Sequence, residues 1–263
     1  MSLSLVTGLW IKLMNRSSLL FHIPHASVTF PFREGFTRPE LIAPEVAKLT
    51  DHFTDQIFAC DGVEQLAADF SRVFCDVERF YPDELEPMAQ KGMGFYYTHT
   101  DDGIEFREED PWKQRVYQDF YVPHHHRLEE LVNRRLTAYG QCLLLDGHSF
   151  SQVPFFREPD QDPERPDICL GTLPFHTPSW LSQSATEVFT EANLTVALNR
   201  PYAGSIVPLR FLDKEPKVFS LMIEINRRLY LDHNQQPRPG QIQALRGLVE
   251  KLVKRISGGA DWG

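Results

Sequence analysis

The stretch LLLDGHSF, residues 143–150, decides how the rest of the chain reads. Its three leucines follow Cys142 and make an apolar run long enough for one buried strand. Asp146, Gly147, His148 and Ser149 then end the run with small or polar residues. In open α/β sheets ligands bind at the carboxyl ends of strands, so a strand that breaks into Asp-x-His-Ser delivers chemistry to a cleft. Two other stretches are built the same way. Leu19, Leu20 and Phe21 lead into His22, Ile23, Pro24 and His25, and Phe219 to Ile225 carries Glu224 inside an otherwise apolar run.

Working outward, apolar residues at Val46, Leu49, Phe53, Ile57 and Phe58 have helical spacing. They predict one helix from Glu45 to Asp61-Gly62, with Asp51 and Asp55 four apart on one face. Strands are expected at 63–67 and 72–77, then an irregular, functional loop across 78–110. A helix over 112–139 follows, with Pro123 as a kink. Strands are expected near 168–170, 195–198 and 218–225, and helices near 178–192 and 240–256. The first seventeen residues read as an extra strand or a start-site extension. They carry no charge before Lys12 and no small-residue cleavage site, which argues against a signal peptide. Residues 258–263 read as a frayed tail. Alternating strands and helices indicate an α/β fold around a largely parallel sheet, as a single domain over 1–263 with its core at about 18–256.

Composition narrows the functional classes. A net charge of −9 over 263 residues argues against a nucleic-acid partner, which would meet a basic face. No run approaches the ~18 apolar residues of a membrane span. The four cysteines, at 60, 75, 142 and 169, show no Cys-x-x-Cys spacing and fit a reducing, cytoplasmic setting.

Hydrolytic zinc takes three protein ligands and leaves a position for water. His25, His148 and one of Asp51 or Asp55 can supply that set from three loops, and Glu224 is the nearby carboxylate to move a proton. The bland alternative is that both histidines cap strands and that Glu224 pairs with Arg227 or Arg228. No His-Glu-x-x-His motif decides between them. Arg79 can clasp a carboxylate with two parallel hydrogen bonds; Arg72 and Arg227 are further substrate-binding candidates, Arg72 facing the same cleft and Arg227 able to bind a second carboxylate. His124, His125 and His126 are consecutive and point in different directions. Ser149 lacks the Gly-x-Ser-x-Gly elbow of a serine hydrolase.

Seven segments occur in order: IPHAS (23–27), LTDHFTD (49–55), SRVFCDVER (71–79), LLLDGHSF (143–150), PDICLGT (166–172), RPYAGSIVP (200–208) and LMIEINRRLYLD (221–232). Together they resemble the N-formylglutamate amidohydrolase family over roughly residues 19–232. The resemblance implies a three-layer α/β/α sandwich around a mainly parallel mixed sheet, of the phosphorylase/hydrolase-like kind and related to zinc carboxypeptidases and aspartoacylases. It implies hydrolysis of an N-formyl or N-acyl amino acid such as N-formyl-L-glutamate. Zn²⁺ would sit on His25, His148 and Asp51, with Asp55 one turn deeper on the same face, and Glu224 would be base and acid. Arg79 would anchor the substrate carboxylate. Tyr202 and Gly204 belong to the loop that shapes the pocket, and His125 lines it, leaving His124 and His126 at the surface. Relatives in the wider superfamily carry Asp-x-Asn-Arg where this chain has Asp76-Val77-Glu78-Arg79. Glu78 thus puts a negative charge in place of an amide, which would repel an acidic substrate unless it turns away or pairs with a cation, and Ala26-Ser27 stands in place of Ser-Gly. The expected partner is a small molecule, with no nucleic acid or membrane, and the protein a monomer or small homo-oligomer. Two alternatives remain: a zinc metallocarboxypeptidase acting on short peptides, and a non-catalytic binder of a small acidic ligand.

Overall fold

The computed structural model describes residues 14–258, and in it the three apolar runs become neighbouring strands of one sheet. The expectations for the first thirteen residues and for the tail beyond Gly258 fall outside the described residues. In chain order the elements are β1 (Leu19–Ile23), α1 (Ile42–Leu49), α2 (Thr54–Ile57), β2 (Glu64–Ala67), α3 (Trp112–Val116), α4 (Val122–Tyr139) and β3 (Cys142–Phe150). After these come β4 (Ile168–Gly171), α5 (Ser179–Thr190), β5 (Val196–Leu198), β6 (Val218–Asn226) and α6 (Gln241–Ser257). The sheet order is β2-β1-β3-β6-β4-β5. Strands β2, β1, β3 and β6 run parallel, and β4 reverses against β6 and carries β5 parallel to itself. The sheet is therefore mixed and mainly parallel.

Period-two alternation sorts the side chains into two cores. Leu19, Phe21, Leu143, Leu145, Leu221 and Ile223 face α2, α5 and α6. Leu20, Leu144, Cys142 and Val218 face Leu128, Leu131 and Val132 of α4. Helices on both faces complete the three layers. No helix among the described residues is long and apolar enough to cross a membrane.

Two sequence expectations are corrected. The helix expected over 45–62 is broken: Thr50 turns extended, and Phe53 adopts a left-handed φ of 65° before α2 begins. The apolar spacing survives the break because both short helices pack on the same side, but Asp51 and Asp55 no longer share a face. Asp51 is buried and Asp55 exposed. Residues 72–77 form turns, not a strand. Val73, Phe74, Cys75 and Val77 are all buried there, which mimics a core strand. The long helix over 112–139 does form, interrupted at Tyr117–Tyr121 by one wide π turn. That turn directly precedes Pro123, which has no N–H to donate and crowds the carbonyl four residues back.

Candidate active site

The strand alternation that builds the core also builds the site. At the carboxyl ends of β1, β3 and β6 the positions facing away from α5 and α6 change from apolar to ionisable. His22 lies beside Asp146 in the register, and His148 lies beside Glu224. The opposite face stays apolar through Ile23, Gly147, Ile223 and Ile225. A side chain at Gly147 would meet Ile23 Cδ1 and Phe58 Cδ2, each 2.6 Å from where its Cβ would stand. The glycine lets β3 pass through the core between two polar positions.

His25 leaves β1 in the following loop, and the break after α1 brings Asp51 to it. The Asp51 amide donates to the His25 carbonyl at 3.0 Å, and the Thr54 hydroxyl donates to the Asp51 carbonyl at 2.8 Å. Asp51 Oδ2 lies 3.2 Å from His148 Nδ1 and 3.6 Å from His25 Nδ1. His25 Nδ1 is buried and has no hydrogen-bond partner. Donors around a tetrahedral zinc stand about 3.4 Å apart, given bonds of ~2.1 Å. This spacing suits a small divalent cation, and one ligand atom from each of the three side chains lies within 4.8 Å of the others.

On the far side both rings face carboxylates; His25 makes a hydrogen bond there, and His148 Nε2 is buried without one. His25 Nε2 meets Asp76 Oδ1 at 2.9 Å, and His148 Nε2 lies 3.2 Å from Asp146 Oδ1 and 3.1 Å from Glu78 Oε2. Metal-ligating histidines usually present their second nitrogen to a carboxylate, which fixes the tautomer and the ring. Arg227 completes the frame by donating to Asp51 Oδ1 at 2.8 Å, to Ser149 Oγ at 3.1 Å and to the Lys48 carbonyl at 2.8 Å. Only the other Asp51 oxygen is left facing the histidines.

Electrostatics follow from these contacts. Burial alone would neutralise Asp51, but His148, His25 and Arg227 hold its pKa well below the usual carboxylate range. Burial opposes charge on His148, yet Glu78, Asp146 and Asp51 raise it well above a free imidazole. Glu224 sits on the adjacent strand with Oε2 buried and unpartnered. Desolvation, and then the charge of Asp51, push its pKa up to about 8. A carboxyl poised there can both take and give a proton near neutrality.

The remaining candidates divide into committed and available groups. Arg72 donates twice to Asp76 Oδ2, at 2.9 and 3.2 Å, and Tyr97 donates to the same oxygen at 2.7 Å. Arg79 is freer: its Nε has no hydrogen bond, and its guanidinium is 3.4 Å from Asp76 and 3.9 Å from Glu86. Tyr202 lines the cavity that holds His25, His148 and Glu224 and donates its hydroxyl to Glu158 at 2.6 Å. Gly204 lines a second, apolar cavity, and its carbonyl lies where a Cβ on Gly171 would be. His125 reaches that second cavity as well; burial lowers its pKa to about 4, so the ring is neutral.

The structure brings in side chains not chosen from the sequence. His124, expected at the surface, is buried, with Nε2 at 2.9 Å from His22 Nε2. His22, Glu78 and Asp146 form a second group at hydrogen-bonding distances. Here burial is outweighed by the bonds to Asp146 and Glu78, which raise His22 to about 9. Glu78 answers the charge question posed by its place in Asp76-Val77-Glu78-Arg79 by pairing with His22 and His148. The signal in the sequence was the alternation of His22 and Asp146 with core residues.

A mainly parallel sheet whose strand ends bring ionisable side chains to one cavity has the architecture of an α/β enzyme. The chain matches the model of the N-formylglutamate amidohydrolase family over residues 17–231 and belongs to that family. It is similar to the crystal structure of N-formylglutamate amidohydrolase from Ralstonia eutropha JMP134, with 23% identity and a TM-score of 0.78 over 91% of this chain and 92% of that one. A gene product of Agrobacterium tumefaciens is also similar, with 18% identity and a TM-score of 0.63 over 94% of this chain and 92% of that one. Both likenesses bear on the fold. A comparison with curated proteins gives no match.

Proposed function

We propose that this protein is a metal-dependent amidohydrolase that cleaves the amide of an N-formyl or N-acyl amino acid. The observation that carries the reading is the shared orientation of His25 and His148. Each turns Nδ1 toward Asp51 Oδ2 and Nε2 toward a carboxylate. Zinc is the metal this nitrogen and oxygen set suits, and when bound it would lower the pKa of water and polarise the amide carbonyl.

The chain's own residues supply the rest. Arg79 holds the substrate carboxylate at the cavity wall, which fixes where the amide lies. Glu224 takes the proton of the attacking water and returns it to the amine nitrogen as the C–N bond breaks. Its burial keeps it basic enough to accept and acidic enough to donate. Asp76 accepts from His25 Nε2 and so selects the tautomer that leaves His25 Nδ1 free, while Asp146 and Glu78 flank His148 Nε2. Replacing Glu224 with glutamine removes the proton carrier and keeps the shape. Metal content should be unchanged, and turnover should fall by ~10²- to 10⁴-fold. Glu224→Gln protein that still turns over at the wild-type rate would remove Glu224 from this role.

A further inference from the structure

Beside the catalytic cavity, of about 410 Å³, lies a second cavity of about 530 Å³. Glu78, Arg79, Ala203 and Met222 line both, so the two chambers meet at the arginine assigned to the substrate carboxylate. The second chamber is walled by Tyr81, Tyr117, Tyr121, Leu173, Ile206 and Leu212. Among the described residues Arg79 is its only arginine or lysine, while Glu78, Glu129 and Asp146 bring three carboxylates to the same wall.

A second substrate carboxylate buried in these chambers would need a charged partner or several donors of its own. In the catalytic chamber Arg72 is bound to Asp76, and Arg227 is bound to Asp51, Ser149 and the Lys48 carbonyl. That leaves Arg79 for one carboxylate. The carbon that bears this carboxylate also bears the amino-acid side chain, and the chamber next to Arg79 is the apolar one. A glutamate side chain there would be desolvated against tyrosine rings and leucines with no cation of its own, because the nearby His22 and His148 already pair with Glu78 and Asp146.

Resting on the amidohydrolase reading, we propose that the substrate is an N-formyl or short N-acyl amino acid with a large apolar or aromatic side chain, which fills the second chamber. The side chain, and not the acyl group, is the occupant because the acyl carbon must lie at His25, His148 and Glu224.

Competition in one vessel tests this with zinc-loaded protein and three substrates: N-formyl-L-phenylalanine, N-formyl-L-glutamate and N-octanoylglycine, each followed by its released amino acid. The phenylalanine derivative should lead the glutamate derivative in kcat/KM by roughly tenfold or more. Leu209 and Phe80 stand at the chamber rim, 65% and 52% exposed, so substitutions there leave the core alone. Leu209→Arg supplies a second cation and should narrow the ratio by raising hydrolysis of N-formyl-L-glutamate. Phe80→Ala should raise KM for N-formyl-L-phenylalanine only. A preference for N-formyl-L-glutamate would overturn the proposal and leave the amidohydrolase reading standing. A preference for N-octanoylglycine would overturn the side-chain assignment, and failure to cleave any of the three would overturn both readings.

Discussion

Replacing Asp76 with asparagine should weaken metal binding without touching a ligand. Asp76 is fully buried, and each carboxylate oxygen has a distinct task. Oδ1 accepts from His25 Nε2 at 2.9 Å and from the Glu78 amide at 3.1 Å. Oδ2 accepts twice from Arg72 and once from the Tyr97 hydroxyl. Asparagine has one oxygen and one NH₂, so one of the two sides must meet a donor. If NH₂ faces His25, the ring becomes an acceptor at Nε2, and its proton moves to Nδ1, the atom that should bind metal. If NH₂ faces Arg72 and Tyr97, three donor hydrogens confront it. Loss of a carboxylate behind a ligating histidine costs about 10- to 100-fold in metal affinity. Leaving Arg72 without its anion costs about 3 kcal/mol of folding stability, the low end for a buried pair because the arginine side chain is 17% exposed. Chelator competition reads the first effect and urea unfolding of metal-free protein the second. Tyr97→Phe is the control, since it removes only the contact to Oδ2 and should lower stability while leaving metal affinity within about twofold. Folded Asp76→Asn protein with wild-type metal affinity would refute the claim that Asp76 orients His25.

Metal-free protein should lose stability as pH rises from 6.5 to 9. The His22 ring titrates near 9 in the folded chain against 6.5 as a free group. Its contribution, about 3 kcal/mol, is therefore fully present below pH 6.5 and gone above pH 9. Glu224, raised from 4.5 to about 8, adds a slope of the same sign between those values. Urea midpoints across this range should flatten in His22→Gln, and an unchanged slope would remove His22 as the source. Gly147→Ala forces a methyl against Ile23 and Phe58 at 2.6 Å and should cost about 1–3 kcal/mol. An unchanged melting temperature would show that β3 has slack beneath His148.

Much of this arrangement was legible because a half-apolar strand announces both its core face and its site face. The runs ending at His22, Asp146-x-His148 and Glu224 are such strands, and their polar positions became neighbours in the register. What escaped the sequence depended on contacts far apart in the chain or on single backbone torsions. The left-handed Phe53 separates Asp51 from Asp55, yet the apolar spacing of the segment is that of an unbroken helix. His124 resembles a surface residue until His22, 102 positions earlier, is placed against it. The buried turns at 72–77 are as apolar as a strand because Phe74 packs among aromatic rings from three other segments, at Phe32, Phe70 and Phe120. Glu78 read as an intruding negative charge until its two histidine partners were in place.

The central claim is that His25, His148 and Asp51 hold a metal on which amide hydrolysis depends. Its most direct test is formate release from a panel of N-formyl amino acids by metal-stripped protein, before and after equimolar zinc, with bound metal counted in the same samples. Stripped protein should show no turnover and recover it with zinc, and Asp51→Ala should lose both metal and turnover. Equal formate release by stripped and reloaded protein, or wild-type metal content in Asp51→Ala, would contradict it.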